Sequence, residues 1–376
     1  MSWVVLVCLS AILRAPSDDL ERQAQHLRDL SEPPRSAIAT EGAPASFDDW
    51  QLGDPLPLPP PRYIVDDYIA DLAKLPPDPA TLQLLVENDF FFTVDRHYSS
   101  GVNGLYTTSA GGTPKWMKTI GRLFSSDAEV HATFGAGHNI YTPRSISLAT
   151  LSAYDRPYAG FLYAIAGIQS ITARNFDDLT LTAGVTGPIA LGRQFQELIH
   201  TVITGPHPAR WDTQLTNEPV FVLSYQHTWR RRLGRVANMD VEIYPHLGAA
   251  VGTVYTYAAQ GLQLRFGDRM PLDYGPSRVL PGIQGSGVFS QPNRLGWYFF
   301  AGGELREVAR NIWLDGNTFV DSRSVPKIPI VGDLQFGWAL VWPNFRVSMT
   351  YLWRTREFEK QAKPDVFGSL DLAWHL

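Results

Sequence analysis

Two short stretches hold the residue types that could do chemistry. In the first, Glu87 to Tyr106 (ENDFFFTVDRHYSSGVNGLY), Asn88 and Asp89 stop an apolar run and the aromatic block Phe90, Phe91, Phe92 follows. A second segment opens at His97, with Ser99, Gly101 and Asn103 on one alternating face and Tyr98, Val102 and Tyr106 on the other. This reads as two strands and a turn with carboxylate, amide and hydroxyl oxygens crowded at one end. A polar hairpin tip is the plainer account of the same residues, because Asn and Asp break strands by bonding their own backbone. In the second stretch, LGRQFQELIHTVIT from Leu191 to Thr204, Gln196 and His200 stand four apart and so project from one face of a helix. Phe195, Leu198, Ile199 and Val202 make its apolar side. An imidazole titrates near neutrality, as a general base requires, although a helical histidine is more often packed or solvated than catalytic.

The elements that must position these residues are strands. From about Thr81 onward short alternating segments recur: Val130 to Ile140, Leu179 to Val185, Val220 to Trp229, Val241 to Val251, Leu262 to Phe266, Trp297 to Leu305, Leu334 to Val341, Phe345 to Trp353 and Phe367 to Leu376. With the two around Asn88 and one after Tyr158 the count is about twelve, at the spacing of the tilted, roughly ten-residue strands of an outer-membrane barrel. Aromatics gather at strand ends (Trp229, Trp297, Tyr298, Trp338, Trp342, Tyr351, Trp353), as interfacial girdles would, though alternation alone also suits a soluble β protein. The last strand sets Leu370, Leu372, Trp374 and Leu376 against Ser369, Asp371, Ala373 and His375, and a final strand that ends the chain can close a barrel against the first. The expected fold is therefore all-β: an integral outer-membrane antiparallel barrel of about twelve strands with one short helix in a loop.

Composition agrees. The 376 residues carry a net charge of −5 at a pI of about 6.0, too small and too evenly spread to suggest nucleic acid. The 31 Gly, 28 Pro and 12% aromatic residues beside only 18% charged residues suit many strands and turns with few charged surfaces. The single cysteine, Cys8, excludes disulfides within the chain and thiol catalysis. Residues 1–14 contain an apolar run, SWVVLVCLSAIL, of secretory length and are expected to be a signal peptide; residues 15–79, with PLPLPPP and LPPDP, read as a Pro-rich extension; the barrel domain is expected over 80–376.

The chain also resembles the outer-membrane lipid A 3'-O-deacylases, a calcium-dependent family on a twelve-stranded barrel. The matching landmarks keep the family's order: END at Glu87 to Asp89, DRHYSSG at Asp95 to Gly101, IYTP at Ile140 to Pro143, DRPYAGFLY at Asp155 to Tyr163, TGP at Thr186 to Pro188, GRQFQELIH at Gly192 to His200, and TREF at Thr355 to Phe358. The resemblance implies a carboxylic ester hydrolase in the outer membrane of a Gram-negative bacterium, acting on lipid A within lipopolysaccharide and surrounded by outer-membrane lipid. It implies that His200 is the general base activating a water and that Gln196 orients the site. It further implies that Asn88, Asp89 and Ser99 bind or neighbour a calcium ion, Asn88 and Ser99 also serving the reacting centre. Oxygen ligands of these kinds are what calcium takes, and the metal would stabilise the oxyanion. Ser99 stands where the family usually has Thr, keeping the hydroxyl. Pro206 and His207 stand where some members offer a carboxylate, with Glu87 and Glu218 as possible replacements.

Arg96 and Arg156 read as turn ion pairs or, because lipid A is anionic, as phosphate contacts. Arg230, Arg231 and Arg232 read as a cap on a turn at the membrane edge. His131, His138, His227 and His246 occur singly and lack zinc spacing. A monomer is expected. Two other readings remain: a non-catalytic porin or structural barrel, and a barrel esterase acting on phospholipid, which would call for a serine nucleophile, whereas GxSxG is absent.

Overall fold

The computed structural model describes residues 79–89, 97–144, 146, 152–203, 209–237, 239–289 and 295–376, with the side chains of positions 200, 202 and 203 excepted. The signal peptide expected at 1–14 and the Pro-rich extension at 15–79 lie outside the described residues, apart from Pro79. In chain order the elements are β1 (Thr81–Asn88), β2 (His97–Thr107), α1 (Lys115–Gly121), β3 (Glu129–Thr142), β4 (Ala159–Ile171), β5 (Asn175–Thr186), α2 (Gly192–Ile203), β6 (Glu218–Trp229), β7 (Arg231–Val236), β8 (Met239–Gly252), β9 (Tyr255–Asp268), β10 (Gly296–Asn311), α3 (Ile312–Asp315), β11 (Ile330–Trp342), β12 (Phe345–Arg354) and β13 (Asp365–His375).

Sequential strands other than β6 and β7 pair antiparallel, β1 pairs with β13, and β6 pairs with β8, which closes a barrel of twelve strands. Strand β7 continues β6 past Arg230 along the far end of β8. Closure leaves no open edge in the wall, the condition for a sheet to cross lipid. The faces are inverted relative to a soluble protein. Inward positions include buried Gln83, Glu87, Asn103, Asn139, Gln169 and Asp371, whereas Leu181, Leu223, Leu262, Leu305, Leu334 and Phe336 point outward and are exposed. Such a continuous apolar belt is stable only against lipid.

Three features differ from the sequence reading. The sheet is irregular between Tyr98 and Ser100, so Tyr98 turns into the lumen against Tyr141 and Phe367 instead of sharing a face with Val102 and Tyr106. Two further short helices, α1 and α3, join the expected one. The third is the chain after β9, residues 269–289, which enters the lumen. Its Val279 N–H and the Arg278 guanidinium donate to Glu87 on β1 at 3.2 and 3.1 Å, Gln226 on β6 donates to Gln284 O at 2.9 Å, Gly287 N–H donates to Gln169 on β4 at 3.1 Å, and Arg354 on β12 donates to Pro281 O at 3.2 Å. Contacts with strands all round the wall mean that the segment crosses the lumen.

Ion pairs hold it there. Asp333 accepts from Arg354 at 2.7 Å, pairs with Arg306 at 2.8 Å and lies 3.7 Å from Arg278, while Asp273 of the inserted segment meets Arg265 at 2.8 Å and Arg346 at 2.6 Å. Burial works to raise the Asp273 pKa, but Arg265, Arg346 and Arg230 outweigh it and hold the carboxyl below its usual range. Arg230 is thus no surface cap: it is buried, donates to Asp273 O and lies over the Tyr274 ring at 4.6 Å.

Candidate active site

The register places the chemistry-bearing residues at one end of β1–β4. Asn88 pairs with Ser100, Ser100 with Ile140, and Ile140 with Gly160, a single cross-strand row. Two residues away the next row on the same face runs Val86, Val102, His138, Leu162, and its Val102 and Leu162 are exposed, so both rows belong to the lipid side of the wall. Three strand spacings separate Asn88 from Gly160, about 14 Å.

Helix α2 rests on this outer wall at Gly160. A Cβ on Gly160 would stand 2.9 Å from the Gly192 Cα, and one on Gly192 would stand 2.6 Å from the Trp211 ring, so the contact is backbone on backbone. His138 stacks on Phe195 with ring centroids 4.3 Å apart and donates from Nε2 to Ala190 O at 2.7 Å. Ile199 packs on Ile140, Ile146, Tyr158 and Trp211, whereas Ile189, Leu191 and Leu198 remain exposed on the lipid side. The apolar side of α2 is therefore divided between the barrel wall and the bilayer.

Gln196 is 2% exposed; its Oε1 accepts from Trp211 Nε1 at 2.8 Å, and its Nε2 has no hydrogen-bond partner among the described residues. A buried amide with half its capacity unused is costly. His200 lies one turn further along α2. Ser99, 5% exposed, shares a hydrogen bond with Thr142 at 2.7 Å, tying β2 to β3 beside the row. Asn88 ends β1 half-buried, and Asp89 follows at 3% exposure. The structure thus gathers Asn88, Asp89 and Ser99 at the ends of β1 and β2, and sets Gln196 over the neighbouring strands through Ile140 and Trp211.

Arg96 lies outside the described residues. Arg156 is 1% exposed, 3.5 Å from Glu357 and over the Tyr141 ring, the position of a loop anchor. Glu87 is engaged by Arg278, and Glu218 accepts from Asn317 at 3.0 Å and Thr318 N–H at 2.8 Å. The sequence reading missed Thr142 and Trp211, although both fall inside or just beyond stretches it had singled out, IYTP and the loop after the helix. Among the described residues no three His, Cys, Asp or Glu side chains converge on a metal position. A cation beside Asn88, Asp89 and Ser99 would therefore take one carboxylate and neutral oxygens, a donor set that suits calcium and not zinc.

The model of one protein family, described as outer membrane protein LpxR, matches residues 64–376. Among solved structures, LpxR from Salmonella typhimurium aligns with a TM-score of 0.65 at 20% identity, covering 79% of this chain and 100% of that one. The β domain of the Bordetella autotransporter BrkA aligns at 0.39 and 10% identity over 80% of this chain and 98% of that one. The translocator domain of NalP from Neisseria meningitidis aligns at 0.37 and 9% identity over 82% and 94%. No curated protein sequence matches. The closed barrel with its lipid-facing belt is an outer-membrane protein, and the chain belongs to the LpxR family.

Proposed function

We propose that this protein is a calcium-dependent esterase that removes the 3'-acyl or acyloxyacyl chain of lipid A in the outer membrane. The observation that carries the reading is the seat of α2: a helix bearing Gln196 and His200, pinned to the lipid side of the wall by Gly160 and Gly192 next to the row from Asn88. A site there opens to the bilayer, where an ester in a lipid lies. Trp211 fixes the Gln196 amide, leaving its N–H group to donate to substrate or to the attacking water.

In the proposed reaction His200 takes a proton from water, the hydroxyl adds to the ester carbonyl, and the tetrahedral adduct collapses to the fatty acid with cleavage of its bond to the sugar oxygen. The departing alkoxide recovers the proton from His200. Calcium, when bound by Asp89 with Asn88 and Ser99, would supply a positive charge to stabilise the tetrahedral oxyanion. The Ser99 hydroxyl is bonded to Thr142, which favours this route over a serine esterase acting on phospholipid. The segment across the lumen, with its ion pairs, disfavours a porin.

Mass spectrometry of lipid A incubated with the refolded protein, in calcium and in EDTA, tests the reading. Loss of one acyl or acyloxyacyl mass only with calcium supports it. His200→Ala and Asp89→Ala should each abolish that loss while leaving a heat-modifiable barrel. Activity retained in both variants would sink the site, and unchanged lipid with folded protein would sink the reaction.

A further inference from the structure

Helix α1 lies on the outer face of the barrel, at the end opposite the candidate site. Its underside is Met117 and Ile120, packed on Val130, Ala132 and Ile168. These strand positions continue, at intervals of two, the outward-facing exposed Phe134 of β3 and its partner Ala166 of β4. The seat is tight: a Cβ on Gly121 would stand 2.5 Å from Val130 Cγ1, and Ser170 Oγ donates to Gly121 O at 2.8 Å.

The other side of α1 and the turn after it combine two chemistries. Trp116 and Leu123 are 63% and 79% exposed, and the exposed Phe124 stacks on Tyr225 at 5.3 Å. Lys115, Lys118 and Arg122 stand among them, and α1 contains no acidic residue. The nearest carboxylates in sequence lie beyond the helix: Asp127 accepts from Ser125, and Glu129 stands 3.7 Å from His131. Aromatic and aliphatic groups interleaved with cations, on the lipid side of a barrel wall and at its rim, match the boundary between acyl chains and phosphate headgroups.

The end concerned holds both ends of the wall, Thr81 paired with His375, and three of the four connections of two or three residues, between β4 and β5, between β7 and β8 and between β11 and β12; the fourth, between β8 and β9, lies at the other end. Short turns mark the periplasmic side of such barrels. We propose that α1 and the turn through Phe124 form an anchor in the periplasmic leaflet, with Lys115, Lys118 and Arg122 binding the phosphate of an anionic phospholipid and Trp116, Leu123 and Phe124 entering its acyl region. This anchor does not depend on the reaction proposed for the opposite end.

The test is native mass spectrometry of the full chain released from nanodiscs of phosphatidylcholine and phosphatidylglycerol in equal parts. The wild type should retain phosphatidylglycerol in preference, and each of Lys115→Ala, Lys118→Ala and Arg122→Ala should lower that preference by about fivefold. In bilayers of brominated phosphatidylglycerol, Trp116→Phe should remove a quenched component of the tryptophan emission. These side chains are surface groups, and heat-modifiable migration verifies folding of every variant. No preference in the wild type, a wild-type preference when Lys115→Ala, Lys118→Ala and Arg122→Ala are combined in one chain, or an unchanged quenching profile in Trp116→Phe would each overturn the proposal.

Discussion

Helices α1 and α2 sit on the outward face of the same two strands, β3 and β4, at opposite ends of the barrel. Each is seated by a glycine too close to its neighbour for a side chain, Gly121 against Val130 and Ser170, Gly192 against Gly160 and Trp211. Beneath α1 the contacts are apolar save for the Ser170 hydroxyl, which is bonded. Beneath α2 there is an indole N–H bonded to an amide whose other half has no partner among the described residues. Burial stabilises both helices, but only α2 bears the penalty of an unsatisfied polar group. On the function proposed above, the difference separates a helix that needs only to be attached from one that would also present chemistry to a lipid.

The sharpest way to break that distinction is to lift α2. In Gly160→Val the added side chain meets Gly192 and Ala190, so the helix must shift off the wall. A displacement of about 1 Å at a reacting centre costs on the order of a hundredfold. The rate of calcium-dependent lipid A deacylation should fall by at least about that factor, with the barrel still heat-modifiable. A wild-type rate would show that the seat of α2 does not place the site.

A smaller change tests the amide alone. Gln196→Ala removes the unpartnered donor and strands the Trp211 N–H. The loss expected is about tenfold to a hundredfold in kcat with a smaller change in KM, and about 1 kcal/mol in stability from the orphaned indole. A variant that lost stability but kept kcat would make Gln196 a packing residue, like those under α1.

How much of this is legible in the sequence follows from what each part is packed against. The strands of the wall are legible because lipid imposes one uniform demand on every second residue: Val220 to Trp229, read from alternation, is β6 at Glu218–Trp229, and Phe345 to Trp353 is β12 at Phe345–Arg354. Helix α2 is legible for the same reason, with apolar residues at helical spacing on the side turned to wall and bilayer. The lumen imposes no such period. Residues 269–289 present Arg278, Leu280 and Gln284 to different strands, and their contacts depend on closure of the whole barrel. The irregularity at Tyr98 is hidden because Gly101, lacking a Cβ, leaves room for the Tyr98 ring on the luminal side; a Cβ there would stand 2.0 Å from the Tyr98 hydroxyl. Helix α1 is too short for its period to stand out.

The mildest perturbation completes the comparison at the other end. Gly121→Val forces a side chain into Val130 and Ser170, so α1 must rise as α2 does in Gly160→Val. Overpacking of this kind costs about 1–3 kcal/mol, and loss of the seat also removes the bond from Ser170. The guanidinium midpoint of the lipid-refolded barrel should fall accordingly. Deacylation, which draws on nothing beneath α1, should stay within about twofold of wild type, since an interaction outside the reacting centre leaves the transition state unchanged. Equal loss of activity in Gly121→Val and Gly160→Val would mean that β3 and β4 transmit strain along their length and that the two helices are not independent.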